Sequence, residues 1–354
     1  MSKIMVIGYG ELGRTLVRML SLNNYPPIES VHILTKKEYY MIDTEVMDCR
    51  SIASMIGSHT KILYHTYDLR MSSSISNVVD VVRPDVIVIC PDEENITNDV
   101  SVPTEFIISL PKVYNILTGI ALCMNKQYRP VIINCELPEI TNYILYSELK
   151  MNILGAGGVE AALIRMSEDM QDISGSERIP KLSFAGVGSL IEKMNYNSMT
   201  LEALDEGRGC WYRLSNCYNN SRLLANLTDN ISGRVLITSA QCAKIIGAVL
   251  SGIPYESHIP GLNGFPGTIK ATVSNDQVEI HEYATAKYDE IYDSCLRGFE
   301  SMDIDVSDGI EFTEKFIESI EEDTGVTFSD RTQSIYGMMK MSKEVFKALD
   351  RKGE

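Results

Sequence analysis

Six residues near the amino terminus, Gly8-Tyr9-Gly10-Glu11-Leu12-Gly13, have the type and spacing most specific to one chemistry. In a GxGxxG run the first glycine permits a tight turn and the second lets the backbone approach a pyrophosphate. The third lets a helix pack closely on a strand. A helix opening at such a turn directs its first N–H groups, and the positive end of its dipole, at phosphate charge. The motif therefore predicts dinucleotide binding; the competing reading is a turn of the same shape whose pocket has closed.

The context that the motif needs is present. Lys3-Ile-Met-Val-Ile-Gly8 is an apolar strand leading into it, and Leu12, Leu16, Val17 and Leu20 form one face of a helix running out to about Leu22. Further apolar runs follow at Val31–Leu34, Lys61–His65, Asp85–Cys90 and Pro130–Asn134, separated by helical stretches that include Lys112–Asn125. Strands alternating with helices in this way predict a doubly wound parallel sheet. Cys90 and Pro91, at the end of the fourth run, and Asn134, at the end of the fifth, then belong to the crevice outside the strand carboxyl ends.

The end of the second strand selects the dinucleotide. A carboxylate there would grip the ribose 2′-hydroxyl of NAD, whereas this chain reads Thr35-Lys36-Lys37. Two cations in place of a carboxylate favour a 2′-phosphate, so NADP is expected, with NAD as the alternative. Read without a ligand, Lys36 and Lys37 are a solvated turn.

The chain has 354 residues, enough for two lobes around a sizeable core. The first spans 1–150, and the cluster Gly155, Gly157, Gly158 marks the change to a mixed α+β second lobe over 151–302. That lobe carries a helix from Glu160, strand-like Leu182–Phe184 and a long helix from about Thr238 to Leu250. A helical extension over 303–354 holds an acidic helix, Phe312–Glu322, and a Met-rich basic one, Ile335–Lys352, whose Met338, Met339 and Met341 read as packing residues. A net charge of −16 argues against nucleic acid and anionic membranes as partners. With no apolar run long enough to span a bilayer and no signal peptide, the expectation is a cytoplasmic protein. Eight scattered cysteines without a CxxC pair read as buried thiols, and no metal site is expected.

Several segments together resemble the lactate/malate dehydrogenase (2-hydroxyacid dehydrogenase) superfamily. These are Val6-Ile7 before the glycine turn and Met47-Asp48 after the second strand. Val131-Ile-Ile-Asn-Cys-Glu-Leu-Pro-Glu-Ile-Thr141 and Gly158-Val-Glu-Ala-Ala-Leu-Ile-Arg165 follow in order, as do Ala243–Leu250 and Gly261-Leu-Asn-Gly264. The resemblance covers roughly residues 1–300 and implies a Rossmann-type α/β domain followed by an α+β lactate/malate dehydrogenase-like domain. It also implies a nicotinamide cofactor and a homodimer or homotetramer.

Residue by residue, the family's catalytic set departs here. Its lid arginine has no counterpart, since Pro91–Leu110 holds no Arg or Lys. Its catalytic aspartate falls on Glu160, its substrate-carboxylate arginine on Leu163, and its histidine on Val187 within Ala185-Gly186-Val187-Gly188. Valine cannot shuttle a proton.

Of the five histidines, His258 is the best general acid/base candidate, lying before the Gly261–Gly264 turn, with Glu160 able to orient it. A satisfied loop histidine is the bland reading. Arg234 falls near the family's substrate-specificity position and would meet an acidic group or a surface partner. Asn134 matches the family's asparagine and would reach substrate or nicotinamide. Cys135 lacks a partner base for nucleophilic work, and Glu136 and Glu139 are ordinary turn carboxylates or crevice groups.

The expected activity is NAD(P)-dependent hydride transfer with a small carbonyl or imine substrate other than a simple 2-keto acid. The alternative is a non-catalytic dinucleotide-binding sensor or structural subunit.

Overall fold

The computed structural model describes residues 2–22, 28–69, 71–91, 100–157, 159–160, 163–164, 167, 171, 182–186, 199–205, 210–213, 231–281, 285, 288–300, 303–306, 310–328, 331 and 334–352.

Six parallel strands form the first sheet: β1 (Ser2–Ile7), β2 (Ile28–Thr35), β3 (Lys61–Thr66), β4 (Val86–Ile89), β5 (Val131–Asn134) and β6 (Ile153–Gly155). Their order is β3-β2-β1-β4-β5-β6. The sequence signal is strong because these strands are covered on both faces. All four residues of β4 are buried, as are Ile4–Ile7 of β1, so the runs are apolar throughout rather than alternating. Connecting the strands are α1 (Glu11–Leu22), α2 (Tyr39–Met55), α3 (Ser72–Val82), α4 (Val102–Ala121) and α5 (Pro138–Leu149). The order reverses between β1 and β4, which opens a crevice at their carboxyl ends. The sheet continues past residue 150, because β6 runs to Gly155 and pairs with β5.

Helix α4 begins ten residues before the expected Lys112. Ser101 caps it and a proline occupies its first turn, both good starts for a helix. Pro111 lies inside and forfeits one backbone hydrogen bond. The helix carries through because Phe106, Ile107, Ile108 and Leu110 are buried before the proline and Val113, Ile116 and Leu117 after it.

In the second lobe an antiparallel sheet has the order β10-β11-β7-β8-β9, with β12 on β11. Its strands are β7 (Leu182–Gly186), β8 (Met199–Asp205), β9 (Cys210–Arg213), β10 (Tyr255–Pro260), β11 (Thr268–Ser274) and β12 (Gln277–Ile280). Helix α6 (Ile231–Ser251) packs on α1 and on this sheet, so it joins the lobes directly behind the glycine turn. It starts earlier than the Thr238 expected from its apolar face.

Helix α7 (Tyr288–Glu300) leads to the short pair β13 (Ile304–Asp305) and β14 (Glu311–Phe312), then to α8 (Glu314–Thr324) and α9 (Ile335–Lys352). The last two helices pack on α4 of the first lobe. Phe312 stacks on Phe316 at 4.2 Å between centroids, and both rings meet Phe106 edge-on. The Asp323 carboxylate accepts from the Ser101 N–H, the Ser101 hydroxyl and the Thr104 hydroxyl at 2.5–2.8 Å, capping α4 across the chain. Met338 and Met341 are buried, as packing residues should be, and Met339 is half-buried.

Candidate functional site

Gly8 ends β1 at φ +107°, a conformation suited to glycine, and its N–H donates to the Leu34 carbonyl of β2 at 2.8 Å. A Cβ at Gly8 would lie 1.8 Å from the Cys90 carbonyl oxygen and 2.7 Å from Pro91 Cα. A Cβ at Gly13 would lie 2.4 Å from the Gly8 carbonyl oxygen. Two glycines thus allow the end of β4 and the start of α1 to close on the turn. The N–H groups of Glu11, Leu12 and Gly13 precede the first bond of α1, which runs from the Arg14 N–H to the Gly10 carbonyl at 2.9 Å, and so have no partner inside the helix. This cradle fits a dinucleotide pyrophosphate. Tyr9 contributes backbone only: its ring is buried, and burial followed by the nearby Cys49 and Glu45 pushes its hydroxyl far up. Leu12 packs against the core and its carbonyl accepts from Ser239 of α6 at 3.4 Å.

At the end of β2, Thr35 is fully buried and its hydroxyl accepts from the Lys37 N–H at 3.2 Å. The Lys37 ammonium donates to the Tyr9 carbonyl at 2.9 Å, which places a positive charge on the glycine turn itself. Lys36 is half-buried beside it. Lys37 and the glycine turn are therefore one unit, through a contact that spans 28 positions of sequence. Cys90, buried, donates its thiol toward the Gly8 carbonyl at 3.8 Å, and Pro91 follows at the rim.

Asn134 ends β5 fully buried. Its amide nitrogen donates to Thr141 at 2.9 Å, Asn142 at 2.7 Å and the Glu136 carbonyl at 3.3 Å, while its oxygen accepts from the Glu136 N–H at 3.0 Å. These bonds hold the turn into α5 and occupy the amide's donors. Asn142 continues the chain to the Gly261 carbonyl at 3.2 Å, joining the turn before the 3₁₀ segment Leu262–Gly264 to α5. Glu136 accepts from Ser109 of α4, and Glu139, nearly buried, accepts from Thr268 of β11 at 2.6 Å.

The two acid/base candidates are brought together. Glu160 follows β6 at the carboxyl edge of the parallel sheet, and His258 lies on β10. One Glu160 oxygen, Oε2, accepts from His258 Nδ1 at 2.8 Å and from the His258 backbone N–H at 3.2 Å. The other ring nitrogen, Nε2, accepts from the Phe184 N–H of β7 at 3.2 Å. A backbone amide can only donate, so Nε2 must be the unprotonated nitrogen and Nδ1 carries the proton. His258 is 5% exposed, and both ring nitrogens are bonded inside the protein. The Glu160 side chain is 17% exposed, and Oε1 takes part in neither of these bonds. Burial and the Glu160 charge together raise the Tyr255 hydroxyl above its ordinary range. Gln241 of α6 braces the surroundings, accepting from the Gly157 N–H at 2.8 Å and donating to Ser257 and to the His258 carbonyl at 2.9 Å.

Leu163, at the family's arginine position, is buried at 3% exposure. Val187 and Arg165 lie outside the described residues, as does the side chain of Arg234, whose backbone is in the first turn of α6. Gln241 and Phe184 are not marked by any sequence signal. Gln241 carries no motif, and the contribution of Phe184 is a backbone N–H that any residue supplies. Among the described residues no three His, Cys, Asp or Glu side chains are grouped to hold a metal ion, and no helix is long and apolar enough to cross a membrane.

No protein-family model matches the chain, and no curated protein matches it in sequence. Solved structures match it in fold. A lactate dehydrogenase from a Medee basin deep-sea metagenome library, MGS-M5, is 12% identical with a TM-score of 0.51, over 85% of this chain and 98% of that one. Malate dehydrogenase from Salinibacter ruber is 15% identical with a TM-score of 0.51 over the same shares. Minor L-lactate dehydrogenase from Enterococcus mundtii is 10% identical with a TM-score of 0.53, over 85% and 96%. Together with the strand order, these matches establish that the chain has the lactate/malate dehydrogenase fold.

Proposed function

We propose that this protein is a nicotinamide-dinucleotide-dependent oxidoreductase in which Glu160 handles the substrate proton and His258 positions it. The observation that carries the reading is the 2.8 Å contact between Glu160 and His258 at the edge of the sheet whose centre bears the glycine turn. The bound dinucleotide supplies or accepts a hydride. The α1 N-terminus and Gly8–Gly13 would hold its pyrophosphate, with Lys37 adding positive charge at the turn. Lys36 and Lys37, without a carboxylate at the end of β2, support NADP over NAD. Two donors from His258 hold Glu160 Oε2 and fix the plane of the carboxylate. Oε1 is then the atom that gives or takes the proton.

The roles are thus reversed from the sequence expectation, because Phe184 occupies the ring nitrogen that a histidine base would use. Buried Leu163 in place of an arginine removes a bidentate grip on a substrate carboxylate, which supports a carbonyl or imine substrate other than a simple 2-keto acid. The exposed apolar side chains of α2, Tyr40, Met41, Met47 and Met55, support a homodimer or homotetramer.

The test is transfer of deuterium from C4-labelled reduced nicotinamide into a panel of ketones, aldehydes and imines, with 2-keto acids as controls. Label transfer that Glu160→Gln lowers roughly 10²- to 10⁴-fold is the expected result. Full transfer by that variant overturns the assignment of Glu160. One observation favours the second reading, a dinucleotide-binding sensor or structural subunit: the buried His258 ring has both nitrogens bonded inside the protein. Saturable dinucleotide binding without label transfer to any panel member would select it.

A further inference from the structure

Three cysteines that are far apart in sequence converge on the crevice. Cys90 follows β4, Cys135 follows β5, and Cys242 lies in α6 of the second lobe. Cys135 and Cys242 are in contact, Sγ to Sγ, at 3.5 Å across 107 positions of chain. The Cys135 backbone is held rigidly, its N–H donating to the Ile89 carbonyl at 2.9 Å. Cys242 follows Gln241, whose amide ties α6 to Gly157 and to β10. Each thiol thus sits on an anchored element, one in each lobe.

Their environments differ in a way that assigns roles. Cys135 is half-buried, so a small solute reaches it, whereas Cys242 is fully buried. The hydrogen bond to Cys135 and then burial push the Cys242 thiol well up. Cys242 therefore keeps its proton. The less buried sulfur is the one that a small oxidant meets first.

We propose that Cys135 and Cys242 are a peroxide-responsive dithiol, Cys135 attacking and Cys242 resolving, whose disulfide staples the two lobes at the crevice. The Cys135 thiolate attacks one oxygen of hydrogen peroxide. The O–O bond breaks, hydroxide leaves and takes up the proton that Cys135 released, and Cys135 becomes a sulfenic acid. The Cys242 sulfur then attacks the Cys135 sulfur. The S–O bond breaks, and the departing hydroxide leaves as water with the Cys242 proton. Two thiols lose two electrons and one peroxide is reduced to two waters.

The experiment treats the reduced full-length protein with hydrogen peroxide, blocks remaining thiols with N-ethylmaleimide under denaturing conditions, and maps digested peptides by non-reducing mass spectrometry. A Cys135–Cys242 peptide, two hydrogen atoms lighter than its parts and lost on adding dithiothreitol, is expected before any other linkage. In Cys242→Ala the same treatment should leave Cys135 as a sulfenic acid trapped by dimedone. The proposal is overturned if the wild-type protein keeps both thiols free, links Cys135 to another cysteine, or oxidises Cys135 to sulfinic acid without a cross-link. The wild-type map decides the matter even where the variant does not fold.

Discussion

At the Gly8–Gly13 turn the protein brings backbone close to backbone and leaves the first N–H groups of α1 without a partner inside the helix. At Glu160–His258, on the same edge of the sheet, the imidazole and one carboxylate oxygen are bonded within the protein. The first site is made of missing side chains and the second of side chains that hold one another. Two modes of use follow from this difference. Free backbone donors at a helix start suit an anion, while the closed pair leaves Glu160 Oε1 outside its own bonds.

The sharpest way to separate the two sites is to break each alone. Glu160→Gln should lower hydride transfer roughly 10²- to 10⁴-fold and leave dinucleotide affinity unchanged, as read by turnover and calorimetry on the same preparation. Gly8→Ala should do the opposite. With a Cβ 1.8 Å from the Cys90 carbonyl, β1 or β4 must shift, at about 3 kcal/mol of stability and with loss of dinucleotide binding. Chemical denaturation and titration would measure the two effects.

A smaller effect tests whether the carboxy-terminal helices support the first lobe. Asp323→Ala removes three hydrogen bonds to Ser101 and Thr104 at the start of α4 and should cost about 1–2 kcal/mol in denaturant unfolding.

The first lobe also carries a pH-sensitive pair away from the crevice. On β2 and β3, His32 and His65 stack at 5.2 Å and share a 2.9 Å hydrogen bond between ring nitrogens, with Ser30 on the far side of His32. Burial, then His65 and Lys3, pull His32 down to about 4, and burial lowers His65. The folded state therefore resists protonation that the unfolded chain accepts near 6.5. Stability is full above that pH and is lost progressively as pH falls toward 4. Unfolding free energies at pH 7 and pH 5 should differ more for the wild type than for His32→Gln.

Smallest is the expected effect of Glu11→Gln at the first residue of α1. An anionic side chain there opposes a phosphate, so its removal should tighten dinucleotide binding by about 0.3–1 kcal/mol, with the gain shrinking in salt.

Legibility divides along the same line. Strands covered on both faces announce themselves as unbroken apolar runs, and Val86–Ile89 is found on that basis alone. The glycine turn is legible because its requirements are local. Helix α4 is misread at its start because Pro111 resembles a break, and only the burial of Phe106–Leu110 outweighs it. Asn134 matches a motif, yet a motif does not say where an amide points; Thr141 and Asn142 capture it. Glu160 and His258 can each be named from sequence, but not their contact across 98 positions nor the Phe184 N–H on the other ring nitrogen. Cys242 had no local signal at all, because its partner is supplied by the other lobe.

The measurement that bears most directly on the central claim is a calorimetric titration of the purified protein with NADPH and NADH in parallel. Saturable binding of both is expected, tighter for NADPH and with that preference reduced in Lys36→Ala. Binding of neither dinucleotide would contradict it, since the glycine turn would then be a structural remnant and the oxidoreductase reading would fall with it.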